Sequence, residues 1–402
     1  MTSAQFVFPK GFLWGTSLSA YQTEGDNSNC NWSDWQKEPG KIQNGDQIGN
    51  GCSWKKGKWQ EDLDRAEKMN QNCIRISFEW SSIQPQPDKW DEERIDFYQD
   101  IIHGIIARGM RPIATLHQFT DPNWFTEMGG WKNSDAPAIF AEYAKKMAQS
   151  FRLIVKDWIT IDSPNLYASN GWFSGNFPPG KIHSFSQTFK VLTNLAKAHT
   201  AAYEIIHHEI PDARAGFAIS YQGCFPSKKN IIDSSLASIY NKNYNNAFPK
   251  AFITGRFSFF LHTKKLSEIK NAMDFIGLNY FTAKQISFSN GRVNLTFSQD
   301  AIVSESGQIA NEPDSFFEAL KWASNFGVPV LVTKNGIDDH ADYRRLIYLA
   351  DHIHALWKAT NSGFPIIGYL HWTLLDLFEW DWGWSKGFGL YSFNPQTGIR
   401  EK

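Results

Sequence analysis

Cys73-Ile74-Arg75-Ile76-Ser77-Phe78, an apolar stripe at Ile95, Tyr98, Ile101, Ile102, Ile105 and Ile106, and Arg111-Pro112-Ile113-Ala114-Thr115-Leu116 follow one another in the chain. The two short runs are apolar or β-branched, whereas the stripe recurs at helical spacing, so the stretch reads strand, helix, strand. Two strands joined through a helix lie parallel in one sheet. The alternation continues outward, with strands expected at Phe12–Thr16, Trp158–Ile161, Ala215–Ser220, Asp274–Tyr280, Val328–Thr333 and Ile366–Trp372. A second helical stripe runs through Leu346, Leu349, Ala350, Ile353 and Trp357; both stripes are expected to face the core. The pattern predicts an α/β chain, residues 1–402 forming a single (β/α)8 TIM barrel with long βα loops at its C-terminal face. The polar stretch Asp26–Lys58 reads as a long first βα loop that roofs the cleft.

With 40 basic against 41 acidic residues and a net charge of −1, the composition gives no broad field for nucleic acid or anionic membranes. The expected partner is a small molecule, with oligomeric state left open. Aromatic residues make up 15% of the chain, including 17 Trp, enough to serve both core and cleft. An indole face packs on the apolar face of a pyranose, which makes a sugar cleft a natural use for some of them. Cys30, Cys52, Cys73 and Cys224 lack CxxC spacing, so neither a disulfide framework nor a zinc site is expected. No metal or other cofactor is expected either. Met1–Phe6 carries no basic segment leading into an apolar run, and no stretch approaches the roughly 20 apolar residues of a membrane span. A cytoplasmic location is the corresponding expectation.

Several motifs fall at or just beyond the C-terminal ends of expected strands, where barrels of this kind place their chemistry. They are Phe12-Leu13-Trp14-Gly15 leading to Ala20-Tyr21-Gln22-Thr23-Glu24-Gly25, Arg75-Ile76-Ser77 with Trp80, and Thr115-Leu116-His117-Gln118-Phe119. Asn279-Tyr280-Phe281 follows, then Trp372-Thr373-Leu374-Leu375-Asp376 with Phe378-Glu379-Trp380. In type and order they resemble glycoside hydrolase family 1, the β-glucosidases and their relatives, from Phe8-Pro9 to Phe388-Gly389-Leu390. The resemblance implies that Gln22, Trp372, Glu379 and Trp380 bind the sugar, and that Arg75 is the active-site arginine.

The reaction centre departs from that pattern. A retaining glycosidase uses two carboxyl groups roughly 5–5.5 Å apart, one as acid/base and one as nucleophile. Where the family has Thr-x-Asn-Glu-Pro, this chain reads Thr160-Ile161-Asp162-Ser163-Pro164; Ser163 stands at the acid/base and Asp162 at the asparagine that binds the sugar 2-hydroxyl. Where the family has Thr-Glu-Asn-Gly, this chain reads Thr333-Lys334-Asn335-Gly336, so an ammonium stands at the nucleophile. A cation ~4 Å from a developing oxocarbenium costs roughly 4 kcal/mol at an effective dielectric near 20, about three decades in rate. Loss of general acid catalysis removes about 10²–10⁴ more. Gln118 replaces a glycone-binding histidine and Phe281 a tyrosine that bonds the nucleophile; Gln118 and its neighbour Phe119 are expected to join the substrate-binding set.

The pattern supports three readings. The first is a sugar or glycoside binder, with a retained pocket and without retaining hydrolysis. The second is carbonyl chemistry through a Schiff base on Lys334, with Asp162 as proton shuttle. The third is weak or unconventional β-glycoside hydrolysis using Asp162. Arg75 and Lys334 face only Asp162 and the more distant Glu379, an excess of positive charge that favours an anionic sugar-like ligand or a neutral lysine. His117, His199, His207 and His208 read as structural or surface histidines; Glu79 and Asp157 read as structural acids open to recruitment as a replacement acid.

Overall fold

The computed structural model describes residues 7–401; Met1–Phe6, read above as lacking a leader, lie outside the described residues. Eight parallel strands close into a barrel: β1 Leu13–Ser17, β2 Cys73–Ser77, β3 Arg111–His117, β4 Asp157–Asp162, β5 Arg214–Pro226, β6 Phe275–Ser289, β7 Val330–Asn335 and β8 Ile366–His371. Each pairs with the next, and β8 returns to β1 from Leu13 opposite Gly368 to Thr16 opposite His371. The expected (β/α)8 architecture is therefore present. Helices including Glu92–Ala107, Ala136–Phe151, Phe185–Glu209, Pro313–Ser324 and Arg344–Asn361 connect the strands. The first of these starts where Asp91 accepts a hydrogen bond from the Arg94 amide at 3.1 Å, with Glu92 and Glu93 in its first turn; cap and acidic residues both favour the positive end of a helix.

One residue from each strand, Leu13, Cys73, Ile113, Ile159, Ala218, Phe275, Leu331 and Leu370, forms an apolar layer inside the barrel. Strand side chains alternate between faces, so two residues farther on Arg75, Thr115 and Thr333 point inward as well. Register shifts between Ile159 and Asp162 on β4, and between Val332 and Lys334 on β7, break this alternation. Such irregularities re-aim side chains at strand ends, and here they turn Asp162 and Lys334 toward the barrel mouth.

Four expectations need correction. β5 and β6 do not stop at Ser220 and Tyr280: they stay paired to Pro226 and Ile286, and β6 turns back at Asn290-Gly291, both at positive φ, into the antiparallel strand Arg292–Thr296. Asn-Gly is the residue pair such a tight hairpin requires. The stripe on Arg344–Asn361 is rotated: Leu346 is 74% exposed, while Arg345, Tyr348, His352, Ala355, Leu356 and Ala359 are buried. Tyr348 and His352 point inward because both meet the buried Asn335 amide, at 2.9 and 3.0 Å. Ile106 also lies outward, at 41% exposure. Finally, none of residues 26–58 lines the cavity at the barrel mouth; the loop braces the cavity from behind, with Trp32 against Trp380 at 4.7 Å and Asp46 accepting from the Trp384 amide at 2.9 Å.

Candidate active site

At the C-terminal mouth of the barrel lies a cavity of about 440 Å³, lined by residues that include Phe119, Ser163, Asn279, Phe281, Lys334, Trp372, Glu379 and Trp380. Beneath its floor stands a buried ion triad. Asp162 Oδ2 accepts from Arg75 Nη2 and lies 3.1 Å from Lys334 Nζ. Asp162 Oδ1 accepts from the Ser163 hydroxyl at 2.7 Å and from Asn279 Nδ2 at 2.8 Å. Arg75 is itself fixed by Nε donating to Thr115 Oγ1 at 2.8 Å, and Asn279 by accepting from Thr333 Oγ1 at 2.7 Å. The alternation of β2, β3, β6 and β7 thus supplies Arg75, Thr115, Asn279 and Thr333, while the register shift in β7 supplies Lys334 and the end of β4 supplies Ser163.

Electrostatics follow from this arrangement. Burial pushes the Asp162 carboxyl up, but the Arg75 guanidinium and then Lys334 outweigh it and hold the group well below the usual carboxylate range. Burial lowers Lys334 to about 8, with Asp162 opposing the fall and Arg75 adding to it. Its ammonium sits 4.2 Å from the Trp372 ring centre and 5.6 Å from that of Phe119, where aromatic faces favour the charged form. Glu379 accepts from Trp372 Nε1 at 2.9 Å, and burial pushes its carboxyl up to about 8.

The backbone fixes these positions tightly. A Cβ on Gly336 would meet the Trp372 carbonyl oxygen at 2.1 Å, so only glycine allows the end of β7 to press against the segment carrying Trp372. Ser163, at φ 52°, turns the chain from β4 into the helix Pro164–Trp172. Trp380 stacks parallel to Tyr21 at 5.8 Å and meets Phe119 edge-on at 5.0 Å. Together these rings make a rigid aromatic wall.

Of the residues singled out from sequence, Lys334, Ser163, Phe119, Trp372, Glu379 and Trp380 line the cavity. Arg75, Asp162, Gln22 and Gln118 lie behind its surface. Gln22 Nε2 donates to the Phe378 carbonyl at 2.8 Å and Gln118 Oε1 lies 3.5 Å from Arg75, which turns both amides into the protein. Gln22 Oε1, Gln118 Nε2 and Arg75 Nη1 have no partner among the described residues. Asp157 is the first residue of β4 and pairs with Arg111 and Arg214 at the opposite end of the barrel, which removes it as a replacement acid. Glu79 is buried, accepts from Ser81 and Thr120 at 2.6 and 2.9 Å, and does not line the cavity. His117 contacts Asp121 at 3.0 Å and His199 contacts Thr160 at 2.5 Å, as befits structural histidines. Asn279, Thr115 and Thr333 were not assigned from sequence; counting in twos from the apolar layer would have placed them inside. Among the described residues no group of three or more His, Cys, Asp or Glu is arranged to hold a metal ion, and no helix is long and apolar enough to cross a membrane.

Comparison with known proteins gives a consistent result. The profile described as Glycosyl hydrolase family 1 matches residues 4–402. The chain is 29% identical to β-glucosidase A of Thermotoga maritima over 98% of its own length and 94% of that protein's. It is 27% identical to a β-galactosidase of Sulfolobus acidocaldarius, covering 97% and 91%. The solved Thermotoga maritima β-glucosidase in complex with glucoimidazole superposes with a TM-score of 0.93 at 28% identity, over 99% of this chain and 96% of that one. The same enzyme in complex with deoxynojirimycin gives 0.91 at 28% identity, over 98% and 95%.

Proposed function

This chain belongs to glycosyl hydrolase family 1, and from that premise we propose that it binds a sugar or glycoside in a retained pocket without efficient retaining hydrolysis. The observation that carries the reading is the ion triad. Its only carboxylate, Asp162, is fully buried and engaged by Arg75, Lys334, Ser163 and Asn279. Among the described residues the carboxyl groups that line the cavity are Glu379 and Asp381, and Glu379 is tied to Trp372. The position that resembles the family nucleophile holds an ammonium against two aromatic rings. A cation there repels the positive charge that develops at an anomeric carbon. The aromatic wall of Phe119, Trp372 and Trp380 remains, and the relative complexed with glucoimidazole and deoxynojirimycin supports a monosaccharide as the unit it seats.

Calorimetric titration with glucose, galactose, cellobiose and aryl β-glucosides tests the proposal. Saturable binding of at least one is expected, and silence from all of them at millimolar concentration sinks it.

A second reading draws on the depressed pKa of Lys334, about 8, at the cavity surface. A neutral amine there can add to an aldehyde and lose water to form a Schiff base. Borohydride reduction in the presence of open-chain sugars, followed by peptide mapping, is expected to mark Lys334 under this reading; an unmodified peptide rejects it. Hydrolysis through Asp162 has little support, because the group is sealed from the cavity and held as a bound anion.

A further inference from the structure

Among the described residues, one charged side chain facing the cavity is paired with no carboxylate. Lys284 lies on β6, five residues beyond Asn279, and lines the cavity wall. Among the described residues no carboxylate pairs with its ammonium and no hydrogen bond takes its protons; its neighbour is the Phe297 ring, 5.4 Å away. Burial lowers its pKa without an opposing acid. Of the acids that share the lining, burial pushes Glu379 up to about 8, so it is largely protonated near neutrality, while Asp381, raised to about 6, is ionised there and has Lys386 as its own cationic neighbour; neither pairs with Lys284. Gln222 on β5 and Gln308 add polar groups to the same lining.

Position decides what this cation meets. At ~3.3 Å per residue, five residues along β6 carry the backbone at most about 17 Å along the strand from Asn279, and less in height because barrel strands tilt and β6 is irregular between Tyr280 and Ala283. That carries the Lys284 backbone beyond a monosaccharide seated at the floor, along the part of the cavity wall that the second unit of a two-unit ligand would pass. An uncompensated, partly desolvated cation in a cleft draws an anion.

We propose that the cavity takes a glycoside whose second unit carries an anionic group, a sugar acid or an aryl acid, and that Lys284 selects it. The inference rests on the sugar-binding reading above.

The test is calorimetric titration of the full chain with two matched pairs at fixed salt: cellobiose against cellobionate, and phenyl β-glucoside against 4-carboxyphenyl β-glucoside. An acidic member is expected to bind on the order of tenfold tighter, the size of one charge-assisted hydrogen bond. Lys284→Met is expected to erase that preference and leave the neutral affinities unchanged, which also shows that the variant is folded. A preference confined to cellobionate assigns a sugar acid, and one confined to the aryl pair assigns an aryl acid. Equal affinities within both pairs, or a preference that survives Lys284→Met, overturn the role of Lys284 while sugar binding stands. Absence of binding by all four ligands overturns both readings together.

Discussion

Replacing Lys334 with methionine removes a buried ammonium, and the consequence is a change in how stability depends on pH. In the unfolded chain the amine titrates near 10.5, and in the folded protein near 8. Between those values the unfolded chain holds a proton that the folded protein does not, so wild-type stability rises with pH across that window. Below about 8 the full penalty is present. A fall from 10.5 to about 8 corresponds to about 3 kcal/mol at ~1.4 kcal/mol per pH unit. Lys334→Met lacks this dependence. Urea unfolding from pH 7 to 10.5 should therefore show the wild type gaining about 3 kcal/mol relative to the variant, with the rise confined above pH 8. Parallel profiles for the two proteins would refute the depressed lysine and show that pairing with Asp162 offsets the whole cost of burying the ammonium.

Three further outcomes follow from the same geometry. Asp162→Asn leaves Arg75 and Lys334 as buried cations without an anion, and should destabilise the fold by roughly 3–5 kcal/mol in thermal or urea unfolding; a loss under about 1 kcal/mol would show that the triad does not hold the floor together. Glu379 is raised from 4.5 to about 8, so its contribution is present below 4.5 and is lost as pH climbs to 8. Glu379→Gln should thus gain about 5 kcal/mol on the wild type between those limits at ~1.4 kcal/mol per unit, and a flat difference contradicts the buried neutral acid. Trp380→Ala removes the ring that joins Tyr21, Trp32 and Phe119; sugar affinity should fall at least about tenfold, and unchanged affinity places the sugar elsewhere.

The barrel was legible because parallel strands buried on both faces are nearly continuous apolar runs, as Cys73–Ser77 and Val330–Val332 are. The upper parts of β5 and β6 were not, because Gln222, Gly223 and Pro226 interrupt one and Gln285, Ser287 and Ser289 the other. Such segments form strands here because each supplies the other's backbone partners. The helix Arg344–Asn361 was read by apolarity alone, yet its buried face is set by the hydrogen-bonding needs of Asn335, which also accepts from Tyr369 at 2.8 Å. At the site, Lys334, Ser163 and the Trp372–Trp380 segment could be singled out by residue type. That Asp162 is buried behind the cavity surface as the counter-ion of Arg75 and Lys334 depended on a register shift in β4 that no local sequence signal announces. Lys284 carries no signal in the sequence for a related reason: what distinguishes it is the lack of a carboxylate partner among the described residues, which only the fold defines.

The central claim, a pocket that seats a sugar and does not turn it over by the retaining route, is tested most directly by one calorimetric experiment. An aryl β-glucoside is injected over the protein and the heat is followed for hours. A saturable, one-to-one binding signal that returns to baseline is the predicted result. A sustained heat of hydrolysis that scales with protein concentration, or no binding signal at all, would contradict it.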